Sequence, residues 1–252
     1  MRKESNWIYG IHAVSAALQR DSQSLLEIRI DQKRNDQRFR GLLDSVDGLD
    51  KKIRYVSKGD LDALVDGANH QGIAALCQGD PAIEEHDLIP LIERAGRQAF
   101  LLILDGVQDP HNLGACLRTA DAAGVTAVIV PKDKAVGLTP TVRKVACGAA
   151  ESVPFVQVTN LARTIKDIQQ AGVWVVGLAG ETDKTIYEYA FEGAIAVILG
   201  AEEKGLRRLT REHCDELVKI PMQGQVESLN VSVACGISLF EVLRQRGNAA
   251  KK

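Results

Sequence analysis

Three stretches of the sequence end an apolar run in a tight cluster of polar residues, and these are where chemistry would sit. The first is "LDGVQDPHNLGACLRTADAAG", in which Asp105, Asp109, Pro110, Asn112 and Gly114 form a turn into a helix. Arg118 follows inside that helix, among Cys116, Leu117, Ala120, Ala122 and Ala123. A cation in so small and apolar a surrounding requires a partner or a substrate. The second is "VILGAEEKGLRR", where Glu202 follows two residues after the strand-ending Gly200. The third is "VKIPMQGQVESLNVSVACG", where Ser228, Asn230 and Ser232 alternate with Leu229, Val231 and Val233 at the start of a helix. One capping residue satisfies a helix start. Two such residues, with the free N–H groups of the first turn, offer a wall of neutral hydrogen-bonding groups.

The elements that must hold these residues are strands followed by helices. Apolar runs at 99–104, 126–131, 153–158, 173–178, 194–200 and 216–221 are continuous rather than alternating, as in parallel strands covered on both faces. Helical stretches at 112–123, 139–147, 160–171, 203–212 and 229–246 lie between and after them. The fold class is therefore α/β with a mostly parallel sheet. In such sheets ligands bind outside the carboxyl ends of the strands. Residues 1–76 alternate helix and strand signals in a smaller α/β module. Between the two units, "CQGDPAIEEHDLIPLIERAG" (77–96) has five acids against one arginine and reads as a solvated acidic linker.

Composition narrows the chemistry further. The chain has 252 residues, 45% of them hydrophobic and 25% charged, with a net charge of -2. That is ordinary globular composition. Cys77, Cys116, Cys147, Cys214 and Cys235 show no CxxC pair, which argues against a zinc site and a disulfide framework. No apolar run reaches the ~18 residues of a membrane span, and the start lacks a signal peptide's pattern, so a cytoplasmic location is expected. GxGxxG, GxSxG, HExxH and P-loop patterns are absent. Basic residues near the three stretches (Lys132, Lys134, Arg143, Lys144, Lys204, Arg207, Arg208 and Arg211) form a candidate phosphate track. Arg29, Lys33, Arg34, Arg38 and Arg40 form a second one in the N-terminal module. An aromatic content of 4% argues against base stacking as the dominant contact.

Taken together, "DxxxDPxNxGxxxRTAxAxG", "LGxExxG" and "IPMxGxxxSLNVSxAxxxxLFE" resemble the three motifs of the SpoU (TrmH-type) RNA ribose 2′-O-methyltransferases, in order and over nearly all of 99–246. "VACGAAESVPF" and "RLTREHCDELVKIPM" are similar to members that methylate a guanosine ribose in 23S ribosomal RNA. The module from "YGIHAV" to "HQGIAA" resembles the family's L30e-like RNA substrate-binding domain. The resemblance implies a trefoil-knotted SPOUT domain over 97–247, a feature that general topology rules disfavour. It implies S-adenosylmethionine bound by Gly200, Ile220 and Leu229, with Leu178, Ala179, Gly180 and Met222 nearby. It implies a homodimer in which Arg118, supplied from the other subunit, activates the ribose hydroxyl as base or as electrostatic group. Asn112, Glu202, Ser228 and Asn230 would complete the catalytic set. A guanidinium essentially never loses its proton in a protein, which favours the electrostatic role. A transfer-RNA substrate, or a non-catalytic RNA-binding protein of the same fold, are the rival expectations.

Overall fold

In the computed structural model, residues 5–20, 25–34, 52–65, 67, 69–78, 83–201 and 205–249 are described. The N-terminal unit is a four-stranded sheet in the order β1-β4-β2-β3, built from β1 (Ser5–Tyr9), β2 (Leu25–Asp31), β3 (Ile53–Val56) and β4 (Ile73–Gln78). β4 runs antiparallel to both β1 and β2, and β3 pairs β2 in parallel. Helix α1 (Ile11–Arg20) covers one face, where Ile8, Val14, Ile28, Ile30 and Ile73 are buried. Helix α2 (Lys58–Leu64) opens on a reciprocal Ser57–Asp60 capping box and packs Leu61 against Tyr9 and Ala74 on the other face. Residues 35–51, with Arg38 and Arg40 of the second candidate track, lie outside the described residues.

The larger unit is a six-stranded parallel sheet in the order β10-β8-β9-β5-β6-β7. Its strands are β5 (Phe100–Asp105), β6 (Ala127–Pro131), β7 (Phe155–Val158), β8 (Trp174–Leu178), β9 (Ile195–Gly200) and β10 (Glu216–Val218). The last strand ends at 218 rather than 221. Every residue of β5 is buried, and they alternate between two cores. Phe100, Leu102 and Leu104 face one layer of helices, while Leu101 and Ile103 face the other. That is why the run is continuously apolar. Removing one such side chain, as in Leu102→Ala, costs about 2–5 kcal/mol.

On the first face lie α4 (Pro110–Ala122), α5 (Pro140–Ala146), the single turn α6 (Ala149–Ser152) and α9 (Val231–Ala249). Asp109 caps α4 through the amide of His111 at 2.9 Å, and Thr139 caps α5 through that of Val142 at 3.3 Å; each helix has proline at its first position. Gly114 lets α4 and α5 approach closely, since a Cβ there would stand 2.6 Å from that of Val145. On the second face lie α3 (Leu88–Ala95) and α7 (Leu161–Gln170). Helix α8 (Arg208–Glu212) precedes β10 and starts at 208, later than the 203 expected.

The acidic 77–96 stretch is not wholly solvated. Residues 77–78 finish β4, and Leu88 and Ile92 of α3 are each 1% exposed in the second core. Two apolar residues four apart bury one face of a short helix and leave the acids outside. Glu85 ties the preceding turn to the sheet, accepting from the Thr159 amide and the Arg163 guanidinium at 3.0 Å each. The two units touch through α1 against α6, and the Tyr9 hydroxyl donates to the Pro140 carbonyl at 3.4 Å.

Candidate functional site

The carboxyl ends of β8, β9 and β10 open on a cleft of ≈ 200 Å³. Leu178, Ala179 and Gly180 line it from the end of β8, Gly200 from the end of β9, and Ile220, Met222, Ser228 and Leu229 from the segment after β10. The seven cofactor candidates of the sequence, drawn from three separated segments, thus meet in one place. Gly200 has a steric reason to be glycine. A Cβ there would stand 2.0 Å from the Gly205 carbonyl carbon and 2.4 Å from the Leu206 amide nitrogen. The chain folds back on itself here: Gly205 adopts φ +59 and donates to the Ala201 carbonyl at 2.8 Å.

Helix α9 begins at Val231, so Asn230 is its cap and Ser228 lies in the loop before it. The Asn230 side-chain oxygen accepts from the Ser232 amide at 2.9 Å and from its hydroxyl at 2.6 Å. Its amide nitrogen donates to the side-chain oxygen of Asn112 at 3.1 Å. Asn112, 9% exposed in the first turn of α4, is 118 residues away in sequence. One asparagine therefore starts the last helix and joins it to α4. Ser228 has no part in the cap and faces the cleft. The alternating Ser/Asn pattern is divided between two jobs.

Arg118 does not line this chain's cleft. Its guanidinium is exposed, and its nearest polar contact is the Cys147 sulfur at 3.8 Å. Cys147 ends α5 in a left-handed conformation, φ 53. Glu202 lies outside the described residues, as do Glu203 and Lys204. The expected phosphate track is reduced. Arg143 is paired with Glu151, Arg207 with Asp105, Arg208 with Glu212 and Arg211 with Glu181. Those cations are committed to carboxylates of the fold. Among the described residues, Arg118, Lys132, Lys134 and Lys144 are exposed and form no ion pair.

Sequence reasoning missed four charged groups on the cleft: Glu181, Lys219 and Glu227, and Arg211 in this role. Lys219 directly follows β10, and Glu181 comes three residues after β8, the one signal that points to either. Glu181 pairs with Arg211 across 3.1 Å, and its own backbone amide and then Arg211 hold its carboxyl below the usual carboxylate range. The nearby Cys214 thiol is pushed up to about 12, first by burial and then by Asp215, so it stays protonated and is no nucleophile. No group of His, Cys, Asp and Glu suited to a metal occurs among the described residues.

The profile of the SpoU rRNA Methylase family matches residues 99–240. The chain belongs to that family. A second family, RNA 2′-O ribose methyltransferase substrate binding, matches residues 7–81. Among SpoU relatives, the 23S rRNA (guanosine-2′-O-)-methyltransferase RlmB of Vibrio cholerae is 55% identical over 239 residues, covering 95% of this chain and 96% of its own. The RlmB of Escherichia coli K12 is 54% identical over 242 residues, covering 96% and 99%. A crystal structure of an RNA 2′-O ribose methyltransferase superposes with TM-score 0.79 at 28% identity, over 97% of this chain and 90% of that one. The SpoU methyltransferase AviRb of Streptomyces viridochromogenes, in complex with AdoMet, shares the fold with TM-score 0.80 at 23% identity, over 98% and 92%.

Proposed function

We propose that this SpoU protein transfers a methyl group from S-adenosylmethionine to the ribose 2′-hydroxyl of a guanosine in 23S ribosomal RNA. The observation that carries the reading is the cleft at the strand ends. Seven positions from three segments converge there, with Ser228 on the wall and the Asn112–Asn230 pair at the start of the adjoining helix. The cleft suits the cofactor. Its walls are apolar at Leu178, Leu199, Leu206, Ile220 and Leu229, and paired opposite charges stand at Glu181 and Arg211. Gly200, lacking a Cβ, lets the 205–206 backbone close in and complete the wall. When bound, S-adenosylmethionine supplies a methyl on a sulfonium, open to in-line attack.

The chain supplies position and proton chemistry. Asn112 and Asn230 are locked to each other and so present fixed amide groups to a ribose. Ser228 adds a hydroxyl from the cleft wall. The Arg118 guanidinium places positive charge beside the attacking hydroxyl, which favours loss of that group's proton to solvent as the methyl is transferred. Glu202 belongs to the same set on its sequence position. The loops after β8, β9 and β10 form the knot.

Arg118 acts across a homodimer, from one protomer into the cleft of its partner. Val233, Phe240 and Leu243 support this: they are 50%, 48% and 39% exposed along one side of α9, which packs on the α4 that carries Arg118. Exposed apolar stripes of this kind mark interfaces. Lys132, Lys134 and Lys144 guide phosphates toward the same end of the sheet. Residues 1–76 form the RNA substrate-binding domain, using the sheet positions at Trp7, Arg29 and Arg54. There the Arg29 guanidinium lies 4.8 Å over the Trp7 ring beside the exposed Arg54. The protein works in the cytoplasm.

The test is methyl transfer from labelled S-adenosylmethionine to a 23S transcript, with ribose methylation mapped. One guanosine is expected to be labelled. Labelling of transfer RNA instead would change the substrate. Cofactor binding without transfer to any RNA would make this a non-catalytic RNA-binding protein. No heat of cofactor binding would remove the reading altogether.

A further inference from the structure

Asp105 and Arg207 have no place in the scheme above, yet they form the most deeply seated ion pair beside the cleft. Asp105 is the last residue of β5, 1% exposed, and stands in register with Gly200 on the neighbouring strand. Both of its oxygens are taken by one residue. The Arg207 amide donates to Oδ2 at 3.0 Å, Nε donates to Oδ1 at 2.5 Å, and a terminal guanidinium nitrogen completes the fork. A buried carboxylate is tolerated only when paired and hydrogen-bonded in this way. Arg207 directly follows Gly205 and Leu206, the two residues whose backbone presses against Gly200. Ala201, Gly205 and Leu206 are themselves walls of the cleft, whereas Asp105 and Arg207 do not line it.

We infer that Asp105 and Arg207 are a positioning pair for the cofactor: the buried carboxylate pulls the 205–207 segment onto Gly200 and so fixes the wall of the cleft. This rests on reading the cleft as the S-adenosylmethionine site. The same carboxylate opens the loop from β5 to Asp109 and Asn112. The pair therefore ties the wall that holds the methyl donor to the helix that bears the acceptor-side asparagine. Neither residue touches the ligand, and the effect runs entirely through the backbone of 205–207.

The experiment uses the full chain and three variants: Arg207→Gln, Arg207→Lys and, as a neighbouring control, Arg208→Gln, whose partner Glu212 is an exposed residue of the same helix. Dissociation constants for S-adenosylmethionine and for the 23S transcript are measured beside the melting temperature. Arg207→Gln is expected to weaken cofactor binding about tenfold, the range of a charge-assisted hydrogen bond, while RNA affinity stays within about twofold. Arg207→Lys keeps the charge without the fork and is expected to recover part of that loss. Arg208→Gln is expected to leave both constants unchanged. A lowered melting temperature with an unchanged cofactor constant in Arg207→Gln would reduce the pair to a fold-stabilising contact and overturn the inference. If Arg207→Gln does not fold, an unchanged constant in Arg207→Lys overturns it equally. A wild-type chain that binds no S-adenosylmethionine overturns the cofactor reading and this inference with it; binding with indifferent Arg207 variants overturns this inference alone.

Discussion

The two sheets of this molecule use their surfaces in opposite ways. In the six-stranded parallel sheet, β5 and β6 are buried along their whole length, with helices on both faces. Nothing but the strand ends is left to meet a ligand, and the cleft, Asn112 and Ser228 all lie there. In the four-stranded sheet, β2 alternates between buried and accessible positions, and α2 packs on the second face at Tyr9 and Ala74. Arg29 and Arg54 stand side by side on β2 and β3, with Glu27 within 2.7 and 3.7 Å. A closed sheet concentrates polar groups at its ends, which suits chemistry on a single atom. A sheet with accessible positions along a strand spreads them over a face, which suits recognition of an extended polymer.

The largest effect that bears on this contrast is expected from Arg118→Ala. Turnover should fall by at least ~10²-fold, the scale of losing one group that stabilises developing charge on oxygen, while calorimetry finds cofactor affinity within about tenfold of wild type. Unchanged turnover would remove the strand-end chemistry from Arg118. Gly200→Ala comes next. Its methyl has no space beside Gly205, and overpacking of this kind costs about 1–3 kcal/mol, so cofactor affinity should drop by about tenfold or more. Normal affinity there would mean that the 205–206 backbone does not shape the cleft.

Asn230→Ala removes a helix cap worth ~1 kcal/mol together with the partner of Asn112. Thermal unfolding should register the first loss, and a reduced kcat at saturating RNA the second. Arg54→Ala probes the four-stranded sheet instead. RNA binding should weaken about fivefold, and the salt dependence of log K should flatten by about one, with kcat unchanged. A fall in kcat alone would erase the division between recognition and chemistry.

The smallest effect concerns Glu85. Burial raises its carboxyl pKa, but the Thr159 amide and Arg163 outweigh that and hold it below the usual value. A depressed folded pKa stabilises above the unfolded value, about 4.3, and that stability is lost as pH falls through the folded one. Glu85→Gln should therefore lower the melting temperature at neutral pH, with the difference closing in acid. A pH-independent difference would assign Glu85 a purely steric role.

Much of this was legible in the sequence because fully covered strands have no alternation to misread. "AFLLIL" and "AIAVILG" became β5 and β9 within one residue at each end. The seven cleft positions came from the resemblance to the SpoU motifs rather than from any local pattern; the strand-end rule pointed only to the region in which they meet. Helix starts were less clear. Leu229 and Val231 continue one apolar pattern, and only the bond from Asn230 to the Ser232 amide shows which residue is the cap. The buried side of α3 was masked by acids, because five of them dominate the average charge of a segment whose core contribution rests on Leu88 and Ile92. The Asn112–Asn230 bond and the Asp105–Arg207 fork could not be read at all. Each joins residues more than 100 positions apart, and no local pattern encodes that meeting.

The end of α9 has one more consequence. Arg246 donates to the carbonyls of Gln98, Ala99 and Gly193, and its guanidinium lies 4.9 Å over the Phe100 ring. These groups sit where β5 and β9 begin, at the pole opposite the cleft. The last helix is thus a strut pinned at Asn230 on one side of the molecule and at Arg246 on the other. A group fused after this helix would therefore meet the Arg246 anchor before any residue of the cleft.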